Sequence, residues 1–282
     1  MSKIAIVVDS TGCLDPKVTE ELNIFTSHLI ILFGTEALQE FKEVTPELFE
    51  EKSAKMKDLP STSQPSPGQV MELYDGIFAK GYDEIVHITI AEALSGTYQN
   101  AANVASDYDG KVHVFNSRQV AFAQGNMAVQ AAKMAAEGKT SGQILSKMEE
   151  ISRSSGIVAA IAELTNLKKG GRLSNASAFL GGILNIKPII VSDPQGKIEA
   201  VEKVRTFKKA LKAIVEHVKS QNLNDDYELC VLHQLNPEGA AEVKKELEAI
   251  YPNINIQTRP ISLVLAVHAG PGAVAIGWGK KA

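Results

Sequence analysis

The stretch that decides the fold is Ile4-Ala5-Ile6-Val7-Val8-Asp9-Ser10-Thr11-Gly12, a short apolar run that ends in a polar turn. Three more short β-branched runs follow in the first half of the chain, and longer segments with helical spacing of apolar residues separate them. Strands that alternate with helices form a mainly parallel sheet covered on both faces. We therefore predict an α/β fold for this half, with ligand groups beyond the carboxyl ends of its strands.

The predicted elements of the first half follow from the apolar periodicity. Strands are predicted over 4–8, 29–33, 85–90 and 112–115. Helices are predicted over 15–22, 46–57, 67–79, 96–106, 119–137 and 141–155.

Beyond residue 157 the strands become more frequent and the helices fewer. Strands are predicted over 189–191, 198–204, 229–232, 254–258, 263–267 and 273–278, and helices over 175–184, 207–219 and 237–251. This clustering indicates an α+β domain with an antiparallel sheet. We predict domains over 1–156 and 157–282, which pack closely because no low-complexity linker separates them, with the ligand site in the cleft between them.

The composition narrows the class of protein. The chain has 282 residues, of which 44% are hydrophobic, and this is enough for a sizeable core and excludes disorder. Its 29 Lys and Arg against 33 Asp and Glu leave a formal charge of −4, and no block of Lys or Arg is longer than two. A phosphate backbone would find no basic stripe, so a nucleic acid is not an expected partner.

The cysteines and the longest uncharged stretch bear on the cellular compartment. Cys13 and Cys230 are too few and too far apart for a disulfide framework or a zinc site, so we expect reduced thiols and a cytoplasmic protein. Residues 260–279 are long enough to cross a bilayer. They contain Pro271 and four glycines, so two strands around a loop fit them better than a transmembrane helix.

Standard catalytic and metal motifs do not occur in the sequence, and short polar loops are its candidate sites. The first loop, 9–12, could cap a helix, bind a ligand or fix a neighbouring loop through Asp9. In the second, 61–68, Ser66 and Pro67 fit a helix start, while Thr62 and Ser63 lie outside that cap on an extended chain. Those two hydroxyls could bind an anion, although a plain surface loop is the simpler interpretation.

Three further loops could also bind an anion. Ser95, at a predicted helix N-cap beside Gly96, offers its hydroxyl and free amides, or is simply a cap. Arg172 lies in the basic loop 168–174 and could pair with a carboxylate or phosphate, or face solvent. His268 precedes a Gly-Pro-Gly turn that could form an amide nest. Hydroxyls, one Arg and one His without an evident nucleophile or base pair describe a binding site more than an active site.

Together, these loops carry a family resemblance. The segments 62–66, 94–99 and 169–172 and the motif His268-x-Gly-Pro-Gly follow an opening Asp9-Ser10-Thr11 in an order that strongly resembles the DegV family. Residues 184–189, Leu-Asn-Ile-Lys-Pro-Ile, are similar to another of its segments, so the resemblance covers essentially the whole chain.

The resemblance implies a function as well as a fold. It implies two α/β domains that enclose a long-chain fatty acid, such as hexadecanoate, in a buried tunnel. It further implies the fatty-acid-binding subunit of bacterial fatty acid kinase, which is not catalytic alone. A separate ATP-using kinase subunit would phosphorylate the carboxylate, and the acyl-phosphate would enter phospholipid synthesis. The fatty acid is the implied ligand, no cofactor is implied, and contact with a membrane surface would be transient.

The resemblance also implies roles for single residues. Thr62 and Ser95 would hold the carboxylate and His268 would join them. Arg172 would stabilise that network or receive the kinase. Phe179 and Ile183, in an apolar segment that could equally be an ordinary core helix, would line the tunnel.

Two alternatives stay open from the sequence. In the first, the protein is an enzyme for acyl or phosphoryl transfer, with Ser95 as nucleophile or His268 as base. In the second, it is a small-molecule sensor whose ligand controls docking to another protein.

Overall fold

The computed structural model describes residues 2–174 and 186–282. The predicted helix over 175–184 and the proposed tunnel residues Phe179 and Ile183 lie outside the described residues. The predicted domain boundary between residues 156 and 157 stays a prediction.

The described strands are numbered in chain order. They are β1 (Ile4–Asp9), β2 (Ile24–Ser27), β3 (Ile30–Phe33), β4 (Glu36–Gln39), β5 (Ser61–Ser63), β6 (Glu84–Thr89), β7 (Val112–Asn116), β8 (Gly156–Ala160), β9 (Lys187–Ser192), β10 (Ile198–Val204), β11 (Tyr227–His233), β12 (Ile256–Pro260) and β13 (Val274–Lys280).

The described α-helices are numbered in the same way. They are α1 (Pro16–Glu21), α2 (Pro46–Lys55), α3 (Pro67–Phe78), α4 (Thr97–Ala105), α5 (Phe122–Ala136), α6 (Ser141–Ser154), α7 (Thr165–Gly170), α8 (Phe207–Lys219), α9 (Pro237–Ile250) and α10 (Leu263–Ala269).

The first sheet is parallel, as the opening stretch predicts. Its strands lie in the order β2-β1-β6-β7, and every pairing is parallel. All six residues of β1 are buried because helices cover both faces, which explains why the strand is apolar without alternation. Residues of α5 and α6 form the core on one face, and residues of α3 and α4 form it on the other.

The second sheet is mainly antiparallel, which confirms the prediction for the second half. Its order is β10-β9-β8-β13-β11-β12, and only β11 and β12 pair in parallel. Successive residues of β11 alternate in direction: Val231 packs under α8 and α9, whereas Leu232 faces a different apolar cluster. Helix α5 approaches this sheet closely, since a Cβ on Gly277 would lie 2.9 Å from Cβ of Phe122.

A small antiparallel sheet, in the order β4-β3-β5, completes the fold. The sequence predicts only β3 of these three strands. Strand β4 is Glu-Ala-Leu-Gln, with its two apolar residues adjacent, and β5 is Ser-Thr-Ser, so neither has the apolar alternation that marks a strand. Strands β2 and β8 were also not predicted.

The predicted strand over 263–267 is wrong, because these residues form helix α10. A short apolar run fits either structure by periodicity alone. Here Ser262 decides: its hydroxyl accepts a hydrogen bond from the Leu265 amide at 3.3 Å and starts the helix. The region 260–279 is therefore a helix, a turn and the strand β13. Across residues 2–174 and 186–282, no helix is both long and apolar enough to cross a membrane.

Candidate functional site

A cavity of about 250 Å³ lies between the three sheets. It is larger than the roughly 150 Å³ cavities that accept benzene. Most of its walls are aliphatic, with side chains from the second sheet, from α10 and from the ends of β3 and β6. Its apolar lining includes Leu29, Ile90, Leu94, Val120, Ala121, Ile157, Ala159, Ile161, Leu167, Ile190, Val191, Ile198, Leu232, Ile261, Val264, Leu265, Ala269, Ala273 and Ala275. Its polar lining residues are Thr62, Ser63, Gln64, Ser95, Arg172 and His268.

Thr62 and His268 form a direct pair in this cavity. Thr62 is held in β5 opposite Ile31 of β3, and its Oγ1 lies 2.8 Å from Nε2 of His268 in the last turn of α10. The imidazole packs against the backbone of Gly170, since a Cβ there would lie 2.4 Å from Nδ1. Burial, together with a smaller effect of the nearby Arg172 cation, lowers the pKa of His268 to about 4, so the ring is neutral at pH 7.

Gly170→Ala should separate His268 from Thr62, because the added methyl group occupies the space of the imidazole. We expect the ¹⁵N chemical shift of Nε2 to move toward the value in Thr62→Ala. Gly68→Ala is the matched control, since a Cβ on Gly68 has no atom within 4 Å. An unchanged His268 resonance in Gly170→Ala would show that the ring does not depend on this glycine.

Ser95 lies just before α4, although not at the predicted N-cap position. The helix starts at Thr97 with Gly96 as N-cap. The Ser95 hydroxyl accepts from the Thr97 amide at 3.3 Å and lies 2.8 Å from Oγ1 of Thr97. The side chain of Gln64 occupies the space beside Gly96, since a Cβ on Gly96 would lie 2.1 Å from Oε1 of Gln64. Gln64 is thus part of the site, although we predict no role for its side chain from the sequence.

Arg172 connects two parts of the cavity rim. Its Nε donates to the carbonyl of Leu94 at 3.2 Å, and NH1 donates to the carbonyl of Gly170. The guanidinium therefore ties the end of α7 to the loop that carries Ser95. The side chain is exposed as well as lining the cavity, so a ligand and a partner protein can both reach it.

The loop 9–12 does not line this cavity, but Asp9 bonds Ile90, which does. Asp9 is buried, and its Oδ2 accepts from the amide of Ile90 at 2.6 Å while Oδ1 accepts from the amide of Thr11. Two of the interpretations left open by the sequence are observed: Asp9 caps the short 3₁₀-helix Ser10–Gly12 through the Thr11 amide, and it bonds a neighbouring loop at Ile90. Burial raises the pKa of Asp9, and hydrogen bonds from Thr11 and Ile90 oppose that rise. The carboxyl joins the ends of β1 and β6 and so fixes the residues that lead to Ser95.

The amides of the Gly-Pro-Gly turn are used within the protein. The Gly270 amide donates to the carbonyl of Ala266 at 2.9 Å, and the Gly272 amide donates to the carbonyl of Gln234 at 2.8 Å. The turn therefore does not present these amides as the predicted anion-binding nest. Its contribution to the site is to end α10 directly after His268, with Gly270 at φ 74°.

Ser95 and His268 do not pair with each other. The hydroxyl of Ser95 contacts Thr97, and the imidazole of His268 contacts Thr62. The geometry thus gives no support to an enzyme in which His268 activates Ser95. Within residues 2–174 and 186–282, no group of three or more His, Cys, Asp or Glu side chains could hold a metal ion.

Comparison with known proteins identifies the family. A model described as uncharacterised proteins of the DegV family matches residues 3–281. The chain belongs to the DegV family. Protein DegV of Bacillus subtilis is 34% identical over 278 residues, which cover 98% of both chains. A DegV domain-containing protein of Listeria innocua is 34% identical over 285 residues, which cover 99% of both.

Solved structures of DegV proteins share this fold. The fatty acid binding DegV family protein of Streptococcus agalactiae has a TM-score of 0.91 at 28% identity and covers 100% of both chains. DegV of Bacillus subtilis, a fatty acid binding protein, has a TM-score of 0.90 at 33% identity and equal coverage. A stearic acid-binding protein of Eubacterium ventriosum has a TM-score of 0.89 at 26% identity, covering 100% of this chain and 99% of its own.

Proposed function

We propose that this DegV protein binds a long-chain fatty acid in the cavity, with the carboxylate at Thr62, Ser95 and His268. The proposal rests on one observation: the cavity is aliphatic, and its polar side chains include Thr62 and His268, which form a hydrogen bond. The structural neighbours named above, which bind fatty acids, support the ligand class.

The energetics of burial fit such a ligand. Hexadecanoate has about 14 methylene groups, which contribute roughly 11 kcal/mol of gross burial energy before the cost of ordering the chain. Its carboxylate loses several kcal/mol of hydration unless hydrogen-bond donors replace the water. The aliphatic walls therefore provide affinity, and the polar residues decide which end of the ligand lies beside them.

We expect both hydroxyls to act as donors to the carboxylate. When Nε2 of the neutral His268 carries the proton, it donates to Oγ1 of Thr62, whose own hydroxyl proton is then available to the carboxylate. Ser95 Oγ accepts from the Thr97 amide and can donate its proton to the same anion. Charge-assisted hydrogen bonds of this kind are the strong ones.

The finer part of the proposal is delivery to a kinase. A carboxylate oxygen of the bound acid would attack the γ-phosphorus of ATP held by a separate kinase subunit, releasing ADP and leaving an acyl-phosphate for phospholipid synthesis. The product would leave through transient contact with a membrane surface. The absence of a nucleotide-binding motif in the sequence supports a separate subunit. The free, buried thiols of Cys13 and Cys230 fit the reducing cytoplasm where this step would occur.

Arg172→Ala should separate lipid binding from phosphorylation. The exposed guanidinium bonds only backbone carbonyls among the contacts described, so its loss leaves the Thr62 and His268 pair in place. We expect hexadecanoate binding within about threefold of wild type and a fall of acyl-phosphate formation by about tenfold or more with a kinase subunit present. If Arg172 instead serves the ligand, binding and phosphorylation will fall together.

Mass spectrometry of the small molecules released on denaturation tests the proposed function without a prior choice of ligand. A near-stoichiometric fatty acid is the expected result. Protein that is purified empty and takes up no added hexadecanoate would contradict the proposal. Preferential release or binding of a phosphorylated metabolite would favour the sensor alternative.

A further inference from the structure

Glu40 is a fully buried acid outside the proposed site. It follows β4 directly and is 0% exposed. Its Oε1 accepts a hydrogen bond from the Val264 amide at 2.9 Å, across 224 residues of sequence. Val264 is the second residue of α10, so Glu40 acts on this helix as a capping residue does, from a distant part of the chain.

Helix α10 needs this support. It has seven residues, too few to be stable by itself in water. Ser262 satisfies the Leu265 amide, and Glu40 satisfies the Val264 amide. Both acceptors bond amides of the first turn. The direction of the first turn sets the direction of the rest of the helix.

The other end of α10 carries His268, which contacts Thr62. Strand β3 pairs with β4 on one side and with β5 on the other. Thr62 lies in this small sheet, and Glu40 directly follows its strand β4, with its amide bonded to the Leu29 carbonyl at 2.9 Å. The small sheet and the residue at its end therefore hold α10 at two points: Glu40 at the first turn and Thr62 at the last. Because i→i−4 hydrogen bonds join the two turns of α10, we expect a shift at the first turn to move the imidazole at the last turn.

We propose that Glu40 is a positioning residue, which holds α10 so that His268 meets Thr62 at the carboxylate site. The inference rests on the proposed fatty-acid function for its effect on affinity. Glu40 does not line the cavity, so its effect on a ligand there is indirect.

Two substitutions separate this role from general packing. Glu40→Gln keeps a side-chain oxygen for the Val264 amide, and Oε2 has no hydrogen-bond partner in the described part of the chain. Glu40→Leu has a similar shape and leaves that amide without an acceptor. Tyr74→Phe is a control for the loss of a buried hydrogen bond, because it removes the 2.7 Å contact to His87 in the core beneath α3.

The test combines calorimetry of hexadecanoate binding to delipidated protein with ¹⁵N NMR of the His268 imidazole. In Glu40→Leu we expect affinity to fall about tenfold and the Nε2 resonance to move toward its value in Thr62→Ala. Glu40→Gln should stay within about threefold of wild type, and Tyr74→Phe should change neither readout. In the Thr62→Ala background, Glu40→Leu should have little further effect, since its influence runs through that contact.

An unmoved His268 resonance in folded Glu40→Leu would overturn the proposal. A loss of affinity in Tyr74→Phe equal to that in Glu40→Leu would also overturn it. Should Glu40→Leu fail to fold, Ser262→Ala weakens the same turn and must move the resonance in the same direction. If wild-type protein binds no hexadecanoate, the fatty-acid function fails, and the NMR comparison still decides the role of Glu40.

Discussion

Replacing Thr62 and Ser95 together by alanine should lower the affinity for hexadecanoate by about a hundredfold or more. Each hydroxyl contributes a hydrogen bond to a buried charge, worth about 1.5 to 3 kcal/mol, and the carboxylate would be left with few donors in an aliphatic cavity. Isothermal titration of delipidated protein measures the affinity, and the lipid content after purification gives an independent measure. Both residues are half-buried, so the fold should remain intact.

A matched control for this double variant removes two hydroxyls elsewhere. Thr19→Ala with Ser154→Ala deletes hydroxyls that bond backbone carbonyls within α1 and α6, at 2.7 Å to Pro16 and 3.1 Å to Ile151. The control should bind hexadecanoate as wild type does. Unchanged lipid content in the Thr62 and Ser95 variant would refute the assignment of the carboxylate site.

Glu40→Gln should stabilise the protein increasingly as the pH rises. Burial raises the pKa of Glu40 to about 7 from an ordinary value of 4.5, while the hydrogen bond from the Val264 amide opposes the rise. With a folded-state pKa above the unfolded one, the stability that the protonated carboxyl contributes is complete below pH 4.5 and is lost as the pH rises through about 7. That loss is on the order of 3 kcal/mol, and a neutral glutamine does not suffer it.

Urea unfolding of both proteins between pH 5 and pH 8.5 measures this effect. Other titratable groups around Glu40 are common to both proteins: the Cys13 thiol, whose pKa burial raises, the His28 imidazole, whose pKa burial lowers, and the Arg259 guanidinium beside Cys13. The difference in the free energy of unfolding therefore reports Glu40. Parallel curves for the two proteins would show that Glu40 does not titrate in this range.

Local signals in the sequence predict many of the individual elements. Ser66 and Pro67 indicate the start of α3, and the structure confirms it with a full capping box between Ser66 and Gln69. The run over 263–267 shows the limit of such signals, since five apolar residues suit a strand as well as a helix. Apolar periodicity does not predict β5, because pairing with β3 holds its residues Ser-Thr-Ser in an extended strand.

The sequence also predicts some residues of the candidate site and misses others. Thr62, Ser95, Arg172 and His268 are predicted because they lie in polar loops whose order along the chain resembles one family, and all four line one cavity. Gln64 and Glu40 do not stand out. Gln64 matters because its side chain fills the space beside Gly96, and Glu40 matters because it meets an amide 224 residues away.

The sequence by itself determined the class of fold, because burial on two faces leaves an apolar run such as β1 and helix starts carry capping residues that act within a few positions. It also determined the family, through the order of the polar loops along the chain. Only the tertiary structure decided that residues 263–269 are helical and that Thr62 contacts His268. It also decided that Asp9 and the amides of Gly270 and Gly272 form hydrogen bonds within the protein and not with a ligand. The physical reason is separation: the bonds of Glu40 to the first turn of α10, of Asp9 to Ile90, of Gly272 to Gln234 and of Thr62 to His268 join segments that periodicity and local propensity treat independently.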